Sequence, residues 1–325
     1  MLKVAINGGG RIGRACARIL LERSDVHLVA IADLMPADQL LHLLRFDSTH
    51  GSLPTAITPL AQGFLSQNGQ TRLIQSDADT IVDFAALGAE VLLECSGHFL
   101  TAAHHQAGLD AGLKGVIFSA IALDATPVVL PGLSSSGAQR VVSAGSCTTN
   151  ALALLSAGLS SQLELRGVLA TSIHSYTADQ RLLDGTHPHE KRRGRAAGLN
   201  IIPTVTMAAQ NLPRLLASAP PAGAIGLRVP LANVCMMQAV FALEKPTSAA
   251  EVNTVLQRFS DQIPPGVLGI SWDSKVSSDM IGDRHSAIVD APLTQCVGNM
   301  VQVCAWHDNE YGYASRVVDL ALTIL

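Results

Sequence analysis

Apolar residues in this chain come in short runs, each closed by small or polar residues. The stretches 2–6, 27–32, 89–95, 115–119 and 140–143 are too short for ordinary helices and too continuously apolar for half-exposed strands. They read as buried strands, and the stretches 15–21 and 102–112 between them read as helices. A β/α alternation therefore runs to about residue 146. After 147 the pattern changes. Strands are expected at 167–174, 226–230, 234–243, 286–289 and 300–305, with helices at 249–259 and from about 314 to the end. The first half predicts a doubly wound sheet, the second a β-rich domain.

The first turn carries a motif. After the strand Val4-Ala5-Ile6, Gly8, Gly10 and Gly13 match G-x-G-x-x-G and lead into a helix. In that pattern one glycine permits the tight turn. The next lets a pyrophosphate approach the backbone, and the third lets helix and strand pack closely. A bare turn before a helix would have the same glycines. What separates the two readings is Asp33, at the end of the second strand and 20 residues beyond Gly13, where a carboxylate binds ribose hydroxyls. Together these predict a dinucleotide site. The carboxylate repels a 2′-phosphate, so NAD is favoured over NADP.

The other candidate chemistry begins at Cys147. Strand 140–143 runs into Ser146-Cys147-Thr148-Thr149-Asn150, and a helix-forming run follows at 151–155. A cysteine at the N-terminal edge of a helix faces unpaired N–H groups and the positive end of the dipole, so a lowered thiol pKa is expected. The neighbouring hydroxyls can cap the helix or bind an oxyanion. An arbitrary cysteine is more often a small buried residue. Here, however, the strand 167–174 ends in His174, 27 residues on, as an active-site imidazole would.

Bulk properties narrow the field. The chain of 325 residues has material for two domains. It is 48% hydrophobic but 4% aromatic, so its cores rest on Leu, Val, Ile and Ala. A net charge of -4 argues against a general nucleic-acid binder. No long uncharged apolar run predicts a membrane span, and no leader is expected before the first strand. Six cysteines without metal-ligand spacing read as free thiols of a reducing compartment, the cytoplasm by default. The basic cluster 191–195 is read as a phosphate clamp rather than a nucleic-acid patch. No metal site is expected at His187 and His189, which lack spaced partners. His104 and His105 are expected on a helix surface.

Taken in order, Asn7–Arg14, Phe46-Asp47-Ser48-Thr49-His50-Gly51, Glu94-Cys95-Ser96-Gly97, Ser146–Asn150, His174-Ser175-Tyr176-Thr177, Asp179-Gln180-Arg181, Arg228-Val229-Pro230 and Asp308-Asn309-Glu310 resemble the glyceraldehyde-3-phosphate dehydrogenase family along nearly the whole chain. The resemblance implies an α/β fold: a Rossmann doubly wound parallel sheet plus an α+β catalytic domain with a mainly antiparallel sheet. The expected domains are 1–146, with a C-terminal helix 314–325 packing back on it, and 147–313. It implies a Cys147 nucleophile and a His174 base. Thr177 and Arg228 would hold the substrate phosphate, and Ser146, Thr148, Arg193 and Thr206 a second anion. Gly8, Gly10, Arg11, Ile12, Gly13, Asp33, Ser96, Ser119 and Asn309 would line the NAD site. A phosphorylated aldehyde, inorganic phosphate and a homotetramer are the implied partners, with no nucleic acid and no membrane.

The chain departs from the family pattern at Ala144, Gly145 and Met207, and Ala32 precedes the ribose Asp33. Gly185-Thr186 stands where many NAD-dependent members carry Leu-Pro, so dual NAD/NADP use stays open. The segment around Arg284–Asp290 and the Thr206-Met207 pair resemble the erythrose-4-phosphate dehydrogenase branch, which releases its acyl group to water. Triose against tetrose, and phosphate against water, stay open. A catalytically silent dinucleotide-binding protein is the third reading, against which stand Cys147, His174, Thr177 and Arg228 together.

Overall fold

The computed structural model describes residues 1–324. The chain forms two compact units. The first holds Met1–Leu130, Ser134–Gly145 and the residues from Ala314 on; the second holds Pro131–Leu133 and Ser146–Tyr313.

In the first unit, β1 (Leu2–Asn7), α1 (Arg11–Leu21), β2 (Val26–Asp33) and α2 (Ala37–Arg45) open the chain. A two-stranded ribbon follows, β3 (Phe46–Asp47) with β4 (Gly51–Ser52). Next come β5 (Thr58–Leu60), β6 (Gly63–Ser66), β7 (Gly69–Gln75) and β8 (Val91–Glu94), then α3 (Gln106–Asp110), β9 (Gly115–Phe118) and β10 (Val141–Ser143). One sheet has the order β10-β9-β8-β1-β2-β7-β6-β5. It is parallel from β10 to β7 and antiparallel over the β7-β6-β5 edge. β8 and β9 are buried at every position, which is why, Glu94 apart, their sequences are continuously apolar. The sequence reading missed the antiparallel edge. β7 alternates buried and exposed positions and carries polar residues on its open face, so it lacks the apolar run of a central strand. The chain leaves β1, visits β2 and β7, and returns on the other side to β8. This makes the β1/β8 gap the switch point where such sheets bind ligands.

Two local expectations need correction. The stretch 102–112 is not one helix but a 3₁₀ turn, Ala102–His105, followed by the single-turn α3. His105 is not on the surface: it is buried, its Nε2 lies 2.9 Å from the Phe99 carbonyl oxygen, and its ring packs on Phe118. The apolar Phe118 supplies the burial, and the carbonyl satisfies the ring N–H.

The second unit starts with α4 (Cys147–Ser160) and β11 (Leu165–Ser175). Then come β12 (Ile202–Val205), α5 (Ala208–Asn211), β13 (Ala222–Val229), β14 (Cys235–Leu243), α6 (Ala249–Gln262), β15 (Leu268–Ser271), β16 (Ala287–Asp290), β17 (Gln295–Val297) and β18 (Met300–His307); α7 (Tyr311–Thr323) has only its first three residues in this unit, the rest counting with the first. Their sheet runs β12-β13-β11-β14-β18-β16-β15, with β17 on β18. It is parallel at β11/β13 and β15/β16 and antiparallel elsewhere. β14 alternates strictly between buried and half-buried residues, so one face of the sheet is covered. Part of that cover is α4, apolar on nearly every side, which packs on β11, β14, β18 and α6. At Gly158 even a methyl would stand 2.9 Å from Leu256 Cδ2, so glycine sets how closely α6 approaches α4. No helix among the described residues is long and apolar enough to cross a membrane.

Candidate active site

The first unit supplies a cleft. β1 ends at Asn7, and Gly8 turns the chain with φ +99. A side chain there would meet the Cys95 carbonyl carbon and Ser96 nitrogen at 2.5 Å, and one at Gly13 would meet the Gly8 oxygen at 1.9 Å. At Gly10, which caps α1, an added Cβ would meet no chain atom within 4 Å. That opening beside a helix N-terminus is where a pyrophosphate fits. The Asp33 carboxylate is fixed at the end of β2, accepting from Gly9 N at 2.5 Å and Met35 N at 2.9 Å. Beneath the cleft, fully buried Glu94 accepts from Asn7 Nδ2 at 2.7 Å and from Ser96 N at 2.8 Å. Burial pushes its carboxyl pKa up, against those hydrogen bonds.

The cleft has a volume of about 350 Å³. Asn7, Gly8, Gly10, Asp33 and Ser96 line it. Arg11, Ile12, Gly13 and Ser119 are not among its lining residues: Arg11 pairs with Asp47, and Ser119 N donates to the Glu94 carbonyl. Ser76, Thr80, His98 and Phe99 are among the other residues of its walls. The segment after β7, which supplies Ser76 and Thr80, carries no sequence motif.

The second unit supplies a thiol. Ser146 is the N-cap of α4, extended at φ -147, and its Oγ accepts from Thr149 N at 3.2 Å. Cys147, half-buried, is the first helical residue. Its Sγ lies 3.6 Å from His174 Nε2. Register explains why His174 has this company. Arg228 on β13 lies beside His174 on β11, His174 opposite Cys235 on β14, and Cys235 opposite His307 on β18. Residues directly across strands share a face, so the row Arg228, His174, Cys235, His307 lies on the face that α4 covers.

On the far side of the imidazole, Nδ1 is 2.7 Å from the Ser175 carbonyl oxygen and also in contact with Arg228 Nη1. A proton on Nδ1 suits the carbonyl, and a lone pair suits the guanidinium, so the two contacts belong to different tautomers. In the first, the basic nitrogen is Nε2, facing the thiol. Burial and then the Arg228 charge hold His174 down to about 3, so at neutral pH it is an unprotonated base.

The expected lowering of the thiol pKa does not hold for this conformation. Burial pushes Cys147 up to about 11, against the pull of Arg228 and the Thr148 N–H. Enclosure outweighs the helix end, and the resting pair is thiol and neutral imidazole rather than an ion pair.

Thr177, Arg193 and Thr206, three of the residues expected to bind anions, have partners of their own. Thr177 Oγ1 donates to Asp179, which also pairs with Arg193 Nη1 at 2.9 Å. Arg193 Nε lies 3.1 Å from Glu190 and donates to Thr204 Oγ1 at 2.8 Å. Thr206 Oγ1 accepts from Ala208 N at 3.4 Å, and Met207 beside it is exposed. The basic cluster is thus partly neutralised from within, since Arg195 also pairs with Asp184 at 2.7 Å. His187 caps its own loop, Nδ1 accepting from Glu190 N at 3.1 Å. Asn309 is buried, its Oδ1 accepting from Ser175 Oγ at 3.0 Å and Val234 N at 2.9 Å. Val234 is held at φ +72, a strained conformation for a β-branched residue.

Two family models match the chain: "Glyceraldehyde 3-phosphate dehydrogenase, NAD binding domain" over residues 2–102, and the "C-terminal domain" of the same enzyme over 146–309. The chain belongs to the glyceraldehyde-3-phosphate dehydrogenase family. Among its relatives are the glyceraldehyde-3-phosphate dehydrogenases of Priestia megaterium and Geobacillus stearothermophilus. The first is 38% identical over 98% of this chain and 97% of the relative; the second is 37% identical over 99% and 98%. Glyceraldehyde-3-phosphate dehydrogenase 1 of Bacillus subtilis is 37% identical over the same shares, 99% and 98%. The protein is an NAD-dependent oxidoreductase of the glyceraldehyde-3-phosphate dehydrogenase type, and NAD is its cofactor. The glycine turn, the open position at Gly10 and the anchored Asp33 carboxylate fit that group.

Proposed function

We propose that this enzyme oxidises glyceraldehyde 3-phosphate and passes the acyl group to inorganic phosphate, by way of a thioester on Cys147. The observation that carries the reading is the Cys147 Sγ to His174 Nε2 approach of 3.6 Å, with Arg228 against the same imidazole. Gly8, Gly10, Asp33 and Ser96 hold NAD⁺, with Asn309 at its nicotinamide amide. NAD⁺ bound there would supply the hydride acceptor for the oxidation.

The chain's residues do the rest. Cys147 bonds to the aldehyde carbon and His174 takes the hydroxyl proton, a step worth roughly 10²–10⁴ in rate. Thr177 and Arg228 hold the substrate phosphate. A dianion on Arg228 cancels the charge that disfavours protonated His174, so the phosphate of the correct substrate strengthens the base that acts on it. Phosphate bound near Ser146, Thr148, Arg193 and Thr206 then attacks the thioester carbon and releases the thiolate. The reading includes a homotetramer in the cytoplasm; the exposed apolar residues Leu169 and Ile225 on the sheet give self-association a surface to cover.

A second reading has a specific observation in its favour. Asp179 and Glu190 both pair with Arg193, so inorganic phosphate must compete with two carboxylates there. Water would not, as in an erythrose-4-phosphate dehydrogenase. The test is NADH production from D-glyceraldehyde 3-phosphate and from D-erythrose 4-phosphate, with and without phosphate. Phosphate-dependent turnover of the triose is expected. Faster, phosphate-independent turnover of the tetrose would replace the proposal with the second reading, and no turnover of either would overturn both.

A further inference from the structure

β8 closes on an acid: the apolar run Val91-Leu92-Leu93 is followed by Glu94, which has no exposed surface. In the parallel register Glu94 lies beside Asn7 at the end of β1, at the switch point of the sheet. No lysine or arginine pairs with it among the described residues. His105 Nε2 is 3.8 Å away, but that nitrogen lies 2.9 Å from the Phe99 carbonyl oxygen, and burial holds the ring toward its neutral form. The carboxylate is held by neutral donors instead. Three converge on it: Asn7 Nδ2 at 2.7 Å, Ser96 N at 2.8 Å and Ser96 Oγ at 2.5 Å. An ionised carboxylate only accepts, so it suits all three at once.

The third donor decides what the cleft offers a ligand. Ser96 is exposed and lines the cleft. A hydroxyl has one proton and two lone pairs. The Ser96 proton lies toward Glu94, and one lone pair accepts from His98 N at 3.1 Å. What is left is one lone pair and no proton. The short bond to a charged group also polarises the hydroxyl, which makes its oxygen a stronger acceptor. Phosphate oxygens only accept, so they gain nothing from Ser96. The O–H and N–H groups of a dinucleotide do.

We propose that Glu94 is a positioning residue for NAD: it holds the Ser96 hydroxyl proton away from the cleft and leaves Ser96 Oγ as an acceptor for an O–H or N–H of the cofactor. The dinucleotide is received with a sugar or amide edge at Ser96 and with its pyrophosphate elsewhere, at the open position beside Gly10. Glu94, fully buried, acts through Ser96. The inference rests on Ser96 being part of the NAD site.

The test is a double-mutant cycle on NAD affinity, read by titrating NAD into the cofactor-free enzyme, with Tm as the control for folding. Ser96→Ala is expected to weaken binding about tenfold. Glu94→Met keeps the volume and removes the acceptor. It is expected to weaken binding about tenfold in the wild-type background and by no more than about twofold in Ser96→Ala. Equal factors in the two backgrounds, or no effect of Glu94→Met, would overturn the inference and leave Ser96 in the site. Wild-type affinity in Ser96→Ala would remove Ser96 from the NAD site, and the inference with it.

Should Glu94→Met not fold, the pH dependence of NAD affinity in wild type and Ser96→Ala decides. Burial raises the Glu94 carboxyl above its ordinary 4.5. Once protonated, its O–H donates to Ser96 Oγ, whose own proton then turns to the cleft. Wild-type affinity is therefore expected to fall more steeply than that of Ser96→Ala as pH drops from neutrality toward that range. Asp33, Asp77, Cys95, His98 and His105, the other titratable groups around the cleft and the carboxylate, are present in both proteins and cancel. Parallel profiles would overturn the inference.

Discussion

The two sites are built on opposite terms. The cofactor cleft is organised around one glycine turn, and its main carboxylate, Asp33, already has two N–H partners at 2.5 and 2.9 Å. The thiol site is made of side chains from four strands and a helix, and it is buried short of partners. Arg228 Nε, Ser172 Oγ and both nitrogens of His307 lack a hydrogen bond among the described residues, and Val234 beside Cys235 holds a strained φ. A binding site works when its groups are settled before the ligand arrives. A reactive site keeps groups whose best partners appear only during the reaction.

Separating the two sites by mutation gives the largest effects. Cys147→Ser is expected to abolish aldehyde oxidation, by about 10⁴-fold or more, while NAD binding measured by fluorescence titration stays within twofold of wild type. Near-normal turnover would remove Cys147 from the chemistry. His174→Asn is expected to lower kcat by roughly 10²–10⁴ with the same unchanged NAD affinity. Asp33→Ala works from the other side. Loss of hydrogen bonds to a charged group should weaken NAD binding by about tenfold to a hundredfold, while alkylation of Cys147 without NAD keeps its rate. A change in that rate would show that the two sites are not separable in this way.

A smaller effect distinguishes them by pH. His174 and His307 fold with pKa values depressed to about 3 and about 4 from an ordinary 6.5. The unfolded chain therefore binds more protons than the folded one between those values. Stability from these groups is complete above 6.5 and is lost as pH falls below it. Cys147 has the opposite sign: its pKa is raised from 9.0 to about 11, so stability is lost as pH rises through that window. Urea midpoints should form a plateau between about 6.5 and 9. His174→Asn should flatten the acid limb, and an unchanged limb would mean that this imidazole is not buried uncharged.

How much was legible in the sequence follows the same division. The cleft could be read because its causes are local: Gly8, Gly13 and Asp33 act through the turn they themselves form, and buried β8 and β9 advertise themselves as apolar runs. The thiol site could be read only through its family motifs. That His174, Cys235 and His307 form one row depends on the register of β11, β14 and β18, and these residues are up to 133 positions apart. No spacing rule reaches across such a gap. The direction of the Cys147 pKa was misread for a related reason: the helix end is visible in sequence, but the enclosure that outweighs it is not. The β5–β7 edge was missed because half-exposed strands rich in Gly, Thr and Gln resemble loops.

Gly10 differs from its two partners in the motif in what it is glycine for. Gly8 and Gly13 have no room for a side chain, so every sequence that folds this way must keep them. Gly10 has ordinary φ of -65 and open space where its side chain would be. Selecting a library for folding alone should therefore let position 10 drift to alanine or serine, and selecting the same library for growth on its activity should return it to glycine. The difference between those two outcomes would read the outline of the nucleotide directly from population frequencies, without a bound ligand in view.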